Sequence, residues 1–281
     1  MAAIEVSGLR KSYGPREVLH GLDFAVAEGE VFALLGPNGA GKTTTVEILE
    51  GYRDRDGGSV QVLGHDPQAS DRALRARVGI VLQSSAFYPL LTVREIVSLF
   101  AGYFPKALDA DEVIRRVGLE EAADTRIRPL SGGQKRRLDL ALALVGDPEL
   151  VFLDEPTTGF DPEARRRAWD TIRELRELGK TILLTTHYLD EAQHLADRLA
   201  IVRDGRIAAT GTPSELLSAN GSVEIRFQRA GETVVVQTDA PTRVLHDLTA
   251  EALAEGRELE GLEVRRQTLE EVYLELVREE Q

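Results

Sequence analysis

Nine residues, Gly36-Pro37-Asn38-Gly39-Ala40-Gly41-Lys42-Thr43-Thr44, match the spacing Gly-x-x-x-x-Gly-Lys-Ser/Thr with nothing missing. Glycines at these intervals let backbone N–H groups close around an anion without Cβ clashes. Lys42 supplies a point charge for β- and γ-phosphates, and Thr43 offers a hydroxyl to Mg²⁺. The chemistry that fits is the binding of a nucleoside triphosphate. Further on, Asp154-Glu155 closes the apolar run 150–153. An Asp at the end of a buried strand is placed to hold Mg²⁺, and a Glu after it can polarise an attacking water. His187 follows the apolar run 181–185, where a γ-phosphate is within reach, although a lone His is more often structural. Gln83 ends the run 78–82, either as a polar boundary or as a ligand group at a strand end. Tyr13 either stacks on a purine base or covers an edge of the core. Ser131-Gly132-Gly133-Gln134 caps a helix and keeps its N-terminus open to an anion, a weak sign taken alone.

Elements of matching type surround these groups. Residues 31–35 read as a strand into the glycine loop, and residues 44–50 as a helix out of it, stopped by Gly51. Strands at 4–8 and 18–26 flank Lys11 to Pro15, and Asp56-Gly57-Gly58 turns into a strand at 59–63. Residues 92–146 are helical in pattern. Thr92 and Glu95 form a capping box, a second helix at 109–117 stops at Gly118, and a third spans 135–145. Pro162 opens a helix to about 178, and Asp204-Gly205 marks a hairpin. Thr212-Pro213-Ser214-Glu215 starts a short helix. Asn220-Gly221 marks a boundary. The tail beyond it holds strands at 222–228, 233–237 and 262–266 and a helix at 241–255. A last helix starts at the Thr268–Glu271 capping box, with Leu269, Val272, Tyr273, Leu276 and Val277 on one face. The expected fold class is α/β. A P-loop NTPase core carries an antiparallel β layer and a helical subdomain at about 84–146, all within residues 1–219. A small α+β domain follows at 220–281.

Bulk composition narrows the classes. The chain has 281 residues, 42% hydrophobic and 29% charged, with no cysteine. Disulfides, thiolate metal sites and thiol nucleophiles are thereby excluded. The N-terminus lacks a basic stretch followed by an apolar core, and no apolar run approaches the roughly 20 residues of a membrane span. A net charge of −13 argues against broad binding to nucleic acid or anionic lipid. The expectation is a protein that reaches a membrane only through a partner.

The order of Tyr13, the loop at 36–44, Gln83, Leu130-Ser131-Gly132-Gly133-Gln134, Asp154-Glu155, Asp161 and His187 resembles the ATP-binding subunits of ABC transporters. The resemblance covers residues 4 to about 216. Lys135-Arg136-Arg137-Leu138-Asp139, the run from Glu155 to Pro162 and the tail's Thr268 to Tyr273 are similar to the drug and polysaccharide exporter branch that works with ABC-2-type permeases. Phe160 stands where many members carry Leu. The resemblance implies ATP and Mg²⁺ as cofactors. Tyr13 then stacks on adenine, and residues 36–44 hold the triphosphate. Gln83, with Thr43 and Asp154, belongs to the metal site and links to the permease. Glu155 is the catalytic base, assisted by Lys42, Gln83 and His187. Ser131 to Gln134 contact the γ-phosphate bound to a second subunit, and Asp161 lies at that interface. The partners implied are a second copy in a head-to-tail dimer, taken as a homodimer, and a separate transmembrane permease at the cytoplasmic face of the membrane. Two other readings are a nucleic-acid or ribosome ATPase, which the single cassette and acidic balance disfavour, and an importer subunit with a ligand-regulated tail.

Overall fold

Residues 31–35 are buried along their whole length, and that fixes their place. A strand apolar at every position belongs in a parallel sheet covered on both faces. The computed structural model, which describes all residues except 70–71, 82–86, 220–222, 230–231, 267 and 279–281, places this strand, β3 (Val31–Leu35), inside a six-stranded sheet. The chain enters it through β1 (Ala2–Tyr13) and β2 (Arg16–Ala27) and leaves through α1 (Lys42–Leu49) and β4 (Gly57–Val62). Next come α2 (Arg72–Arg75) and β5 (Val78–Val81), then the helices α3 (Val93–Ala101), α4 (Ala110–Arg116) and α5 (Gly132–Leu144). The core resumes with β6 (Leu150–Asp154), α6 (Pro162–Glu177), β7 (Thr181–Thr186), α7 (Leu189–Leu195), β8 (Arg198–Arg203) and β9 (Arg206–Gly211).

The large sheet has the order β5-β6-β7-β3-β8-β9. Its register aligns Leu35 with Thr186 and Asp154 with Thr185. The C-terminal ends of β3, β6 and β7 therefore lie side by side. Open parallel sheets place ligands at that edge, and Gly36, Glu155 and His187 each begin just beyond it.

The antiparallel layer has the order β2-β1-β4. Its two long strands run past the expected 4–8 and 18–26, up to the pair Tyr13 and Arg16. Register shifts between Val6 and Leu9 and again after Lys11 break the alternation, so the outer half does not read as strand in sequence. Ile4, Leu9, Leu19, Leu22 and Val26 are buried and join Phe32, Leu34 and Leu49 in one core. The capping boxes expected at Thr92 and Thr212 form as side chain and backbone pairs, and Asp109 caps α4. The short helices α2 and α7 lay outside the expected elements.

The chain divides into two compact units, residues 1–210 and 211–281. The division falls nine residues before the expected boundary, because α8 (Pro213–Ala219) packs with α10 (Leu269–Arg278). The second unit also holds β10 (Val223–Arg229), β11 (Glu232–Thr238), α9 (Pro241–Ala254) and β12 (Glu263–Arg266), with strand order β11-β10-β12, all antiparallel. Among the described residues, Leu216, Ile225, Phe227, Ala252, Leu269 and Val272 are its buried apolar residues. The side chains of Leu276 and Val277 lie outside the described residues, as does the expected boundary at Asn220-Gly221.

Candidate active site

The loop between β3 and α1 is shaped by two close approaches. A Cβ on Gly36 would lie 2.3 Å from the Val202 carbonyl oxygen, and Gly41 holds φ at +105°. A side chain at Gly36 would have to displace backbone, and one at Gly41 would adopt a strained φ and crowd the Leu19 side chain at 2.6 Å. Lys42 opens α1 and is 5% exposed. Its ammonium donates to the carbonyls of Gly36 at 2.7 Å and Pro37 at 3.1 Å. Burial pushes this amine down, while the charges of Glu155 and Asp154 pull it back up. Thr43, next in the chain, is exposed.

Tyr13, Arg16, Asn38, Lys42, Thr43 and Glu155 share the walls of one open cleft of about 450 Å³, with Val18, Gly39, Gly41 and Thr44 also lining it. Tyr13 is 41% exposed, so it does not fill the core. The Arg53 guanidinium lies 5.1 Å from its ring centroid, and its hydroxyl is 3.5 Å from the Thr44 hydroxyl.

The end of β6 is held by many bonds. Asp154 is 8% exposed and accepts from the Thr185 hydroxyl at 2.5 Å. Glu155 adopts φ +46°, a left-handed conformation that a glutamate rarely takes. Its N–H donates to the Thr185 carbonyl at 3.2 Å and the Thr185 hydroxyl at 3.0 Å, which hold the turn. The turn brings the Glu155 carboxylate 3.2 Å from Nδ1 of His187 and within 3.1 Å of the donating Thr158 hydroxyl. This pair unites two residues singled out in sequence.

The other expected residues are placed as follows. Ser131 caps α5; its oxygen accepts from the Gln134 N–H at 3.2 Å, and the Gln134 side chain accepts from the Ser131 N–H at 2.9 Å. Ser131, Gly132, Gly133 and Gln134 do not line the cleft with Lys42. Asp161 caps α6, accepting from Glu163 and Ala164 N–H groups at 2.9 and 2.8 Å, and it is exposed. Pro37 and Ala40 belong to the loop backbone, where the Ala40 N–H donates to the Pro37 carbonyl at 3.2 Å. Gln83 lies outside the described residues.

Arg136 was visible in sequence only as part of a branch-specific run. Its guanidinium donates to the carbonyls of Asp154 at 2.8 Å, Glu155 at 3.3 Å and Pro156 at 3.2 Å. It fastens α5 to the β6 end. Its burial lowers its pKa against the opposing charges of Asp139, Asp154 and Glu191. An arginine at the fifth position of a glycine-led helix carries no local mark of that contact, which spans 18 residues.

The oxygen donors suited to a hard cation here are the Thr43 hydroxyl and the Asp154 carboxylate. Among the described residues, no group of three or more His, Cys, Asp or Glu side chains could hold a metal by itself. A sparse oxygen set suits Mg²⁺, which keeps its waters and shares substrate phosphates.

Comparison with known proteins agrees with this geometry. The ABC transporter family matches residues 19–158. A Nod factor export ATP-binding protein I from Paraburkholderia xenovorans is 47% identical, covering 78% of this chain and 73% of its own. A daunorubicin resistance ATP-binding protein from Streptomyces coeruleorubidus is 40% identical, covering 98% and 95%. Among solved structures, an ATP-binding subunit of an ABC transporter superposes with a TM-score of 0.70 at 28% identity, over 78% of this chain and 93% of its own. A dimeric ATP-binding cassette in a post-hydrolysis state, bound to ADP and phosphate, gives 0.67 at 26%, over 74% and 98%. The chain belongs to the ATP-hydrolysing ATP-binding subunits of the ABC transporter family, in the branch of the export and drug-resistance relatives.

Proposed function

We propose that this chain binds Mg²⁺·ATP in the 36–44 cleft, pairs head to tail with a second copy, and drives a separate permease that moves its cargo outward across the membrane. The observation that carries the reading is the convergence of Tyr13, Lys42, Thr43 and Glu155 on one cleft, with His187 bonded to Glu155. Loop N–H groups and the α1 N-terminus take the phosphates, and Lys42 exchanges its two carbonyl contacts for phosphate oxygens. Tyr13 offers its exposed face to adenine. Thr43, Asp154 and Gln83 would hold Mg²⁺, which neutralises developing phosphate charge when bound.

Glu155 takes a proton from the attacking water. The water oxygen bonds to the γ-phosphorus as the bond to the bridging oxygen breaks, and ADP leaves with the electron pair. His187 contacts the γ-phosphate beside the Glu155 carboxylate to which it is bonded. Ser131, Gly132, Gly133 and Gln134, absent from the chain's own cleft, serve the phosphate of the partner, and Asp161 faces that junction. No described helix is long and apolar enough to cross a membrane, which suits a subunit held at the cytoplasmic face by its permease. The tail serves assembly or regulation, a reading supported by every site residue named above lying within residues 1–210.

The test is Glu155→Gln, assayed for ATP affinity and for phosphate release. Affinity is expected to stay within about twofold while turnover falls by about 10²–10⁴, the usual scale of a lost general base. Turnover at the wild-type rate removes Glu155 from the role.

A further inference from the structure

Glu191 lies on α7, in a stretch that carried no sequence motif, and it is 1% exposed. A carboxylate so deeply buried must find partners or raise its pKa. Burial does push this one up, and three donors oppose the push: the Thr186 hydroxyl, the Thr157 hydroxyl and the Trp169 indole N–H. Thr157 donates to Oε1 at 2.7 Å and Trp169 donates to the same oxygen at 3.1 Å. An ionised carboxylate only accepts, so three donors match it without conflict. Thr186 meanwhile accepts from the Tyr188 N–H at 2.9 Å, which leaves its proton free to donate.

The three donors come from three segments that carry proposed site residues. Thr157 stands two residues after Glu155. Thr186 immediately precedes His187. Trp169 sits on α6, the helix that Asp161 caps. The indole itself is fixed, stacked on His194 at 4.8 Å with the Arg165 guanidinium 5.4 Å from its ring. Arg136 is the buried cation that feels the Glu191 charge, and it grips the carbonyls of Asp154, Glu155 and Pro156. The 3.2 Å contact between Glu155 and His187 thus joins two loops whose roots are tied to one carboxylate.

We propose that Glu191 is a positioning residue for ATP hydrolysis, its carboxylate setting the separation and orientation of Glu155 and His187 from behind the site. The inference rests on the reading of Glu155 as the base. It predicts a loss in the chemical step without a loss in nucleotide binding, since none of its partners lines the nucleotide cleft.

The experiment uses the full chain with Mg²⁺·ATP. Glu191→Gln keeps the size of the side chain and loses the charge. Thr157→Val keeps the volume and removes the shortest donor. Both are expected to lower kcat by about tenfold or more while KM for ATP stays within about twofold, the mark of an interaction felt only in the transition state. Added to Glu155→Gln, Glu191→Gln should lower residual single-turnover hydrolysis by less than about twofold, because residues acting as a unit are not additive. If Glu191→Gln does not fold, Thr157→Val and Trp169→Phe decide the matter by the same split. Wild-type kcat in the folded variants, a rise in KM matching the loss, or an undiminished loss in the Glu155→Gln background overturns the proposal. Wild-type turnover in Glu155→Gln alone overturns the base assignment instead, so the two failures are told apart.

Discussion

Glu155 holds a left-handed backbone that two bonds from Thr185 keep in place. Strain of this kind costs on the order of 1–3 kcal/mol and survives only where neighbours fix it. Glu50, at the C-cap of α1, shows a second kind of tension. Burial raises its carboxyl to about 8, with the charges of Asp154 and Glu47 adding to the shift. The folded chain therefore binds a proton that the unfolded chain has released between the ordinary carboxyl value and about 8. Stability falls as pH rises through that window. Glu50→Gln removes the effect. Without divalent cations, the variant should gain on the wild type from pH 6 to pH 9, approaching about 1.4 kcal/mol per pH unit in the steepest part. Denaturant melts across that range check it, and a constant difference refutes it. At this scale the sequence was legible where chemistry is local. The glycine loop and the Asp154-Glu155 pair announce themselves within nine and two residues. Arg136, Thr185 and Glu191 do not, because their contacts reach 18, 31 and 34 residues along the chain.

Elements were legible where a cap or a continuous apolar run marks them. Thr92 and Glu95 bond to each other's backbone as their spacing requires. Thr92→Ala should cost about 1 kcal/mol of stability, the usual value of an N-cap, with ATP affinity unchanged. Equal melting curves would show that α3 is held by packing alone. The outer halves of β1 and β2 were missed because bulges shift the alternation that signals a strand. The helix α7 was missed for a different reason: seven residues give less than two turns of periodicity. That short helix carries Glu191, so an element outside the expected ones holds the most buried acid of the site.

The whole molecule divides into a nucleotide-binding unit and a tail unit, and the sequence placed that division nine residues late. No run of residues advertises that α8 packs with α10; only the folded contacts do. The first unit presents two helix starts proposed to bind phosphate, Lys42 on α1 and Ser131 at α5, and Ser131 does not line the Lys42 cleft. If each phosphate is gripped by two copies, Lys42→Ala and Ser131→Arg should complement. A homodimer of either variant carries a defect in both sites. The mixed dimer gathers both defects in one site and restores the other. ATP-dependent closure of a purified, differently tagged heterodimer, with its permease in detergent, should exceed that of both variant homodimers. Closure no better than theirs refutes sharing between copies. The reciprocal bonding of Ser131 and Gln134 carries one more consequence. Each satisfies the other without any outside group, just as Lys42 rests on its own loop carbonyls. If the grip is shared between copies as proposed, neither half borrows its shape from the other. Two copies would then part after each round and meet again with both helix starts already formed, so the engine would reset without refolding any of its parts.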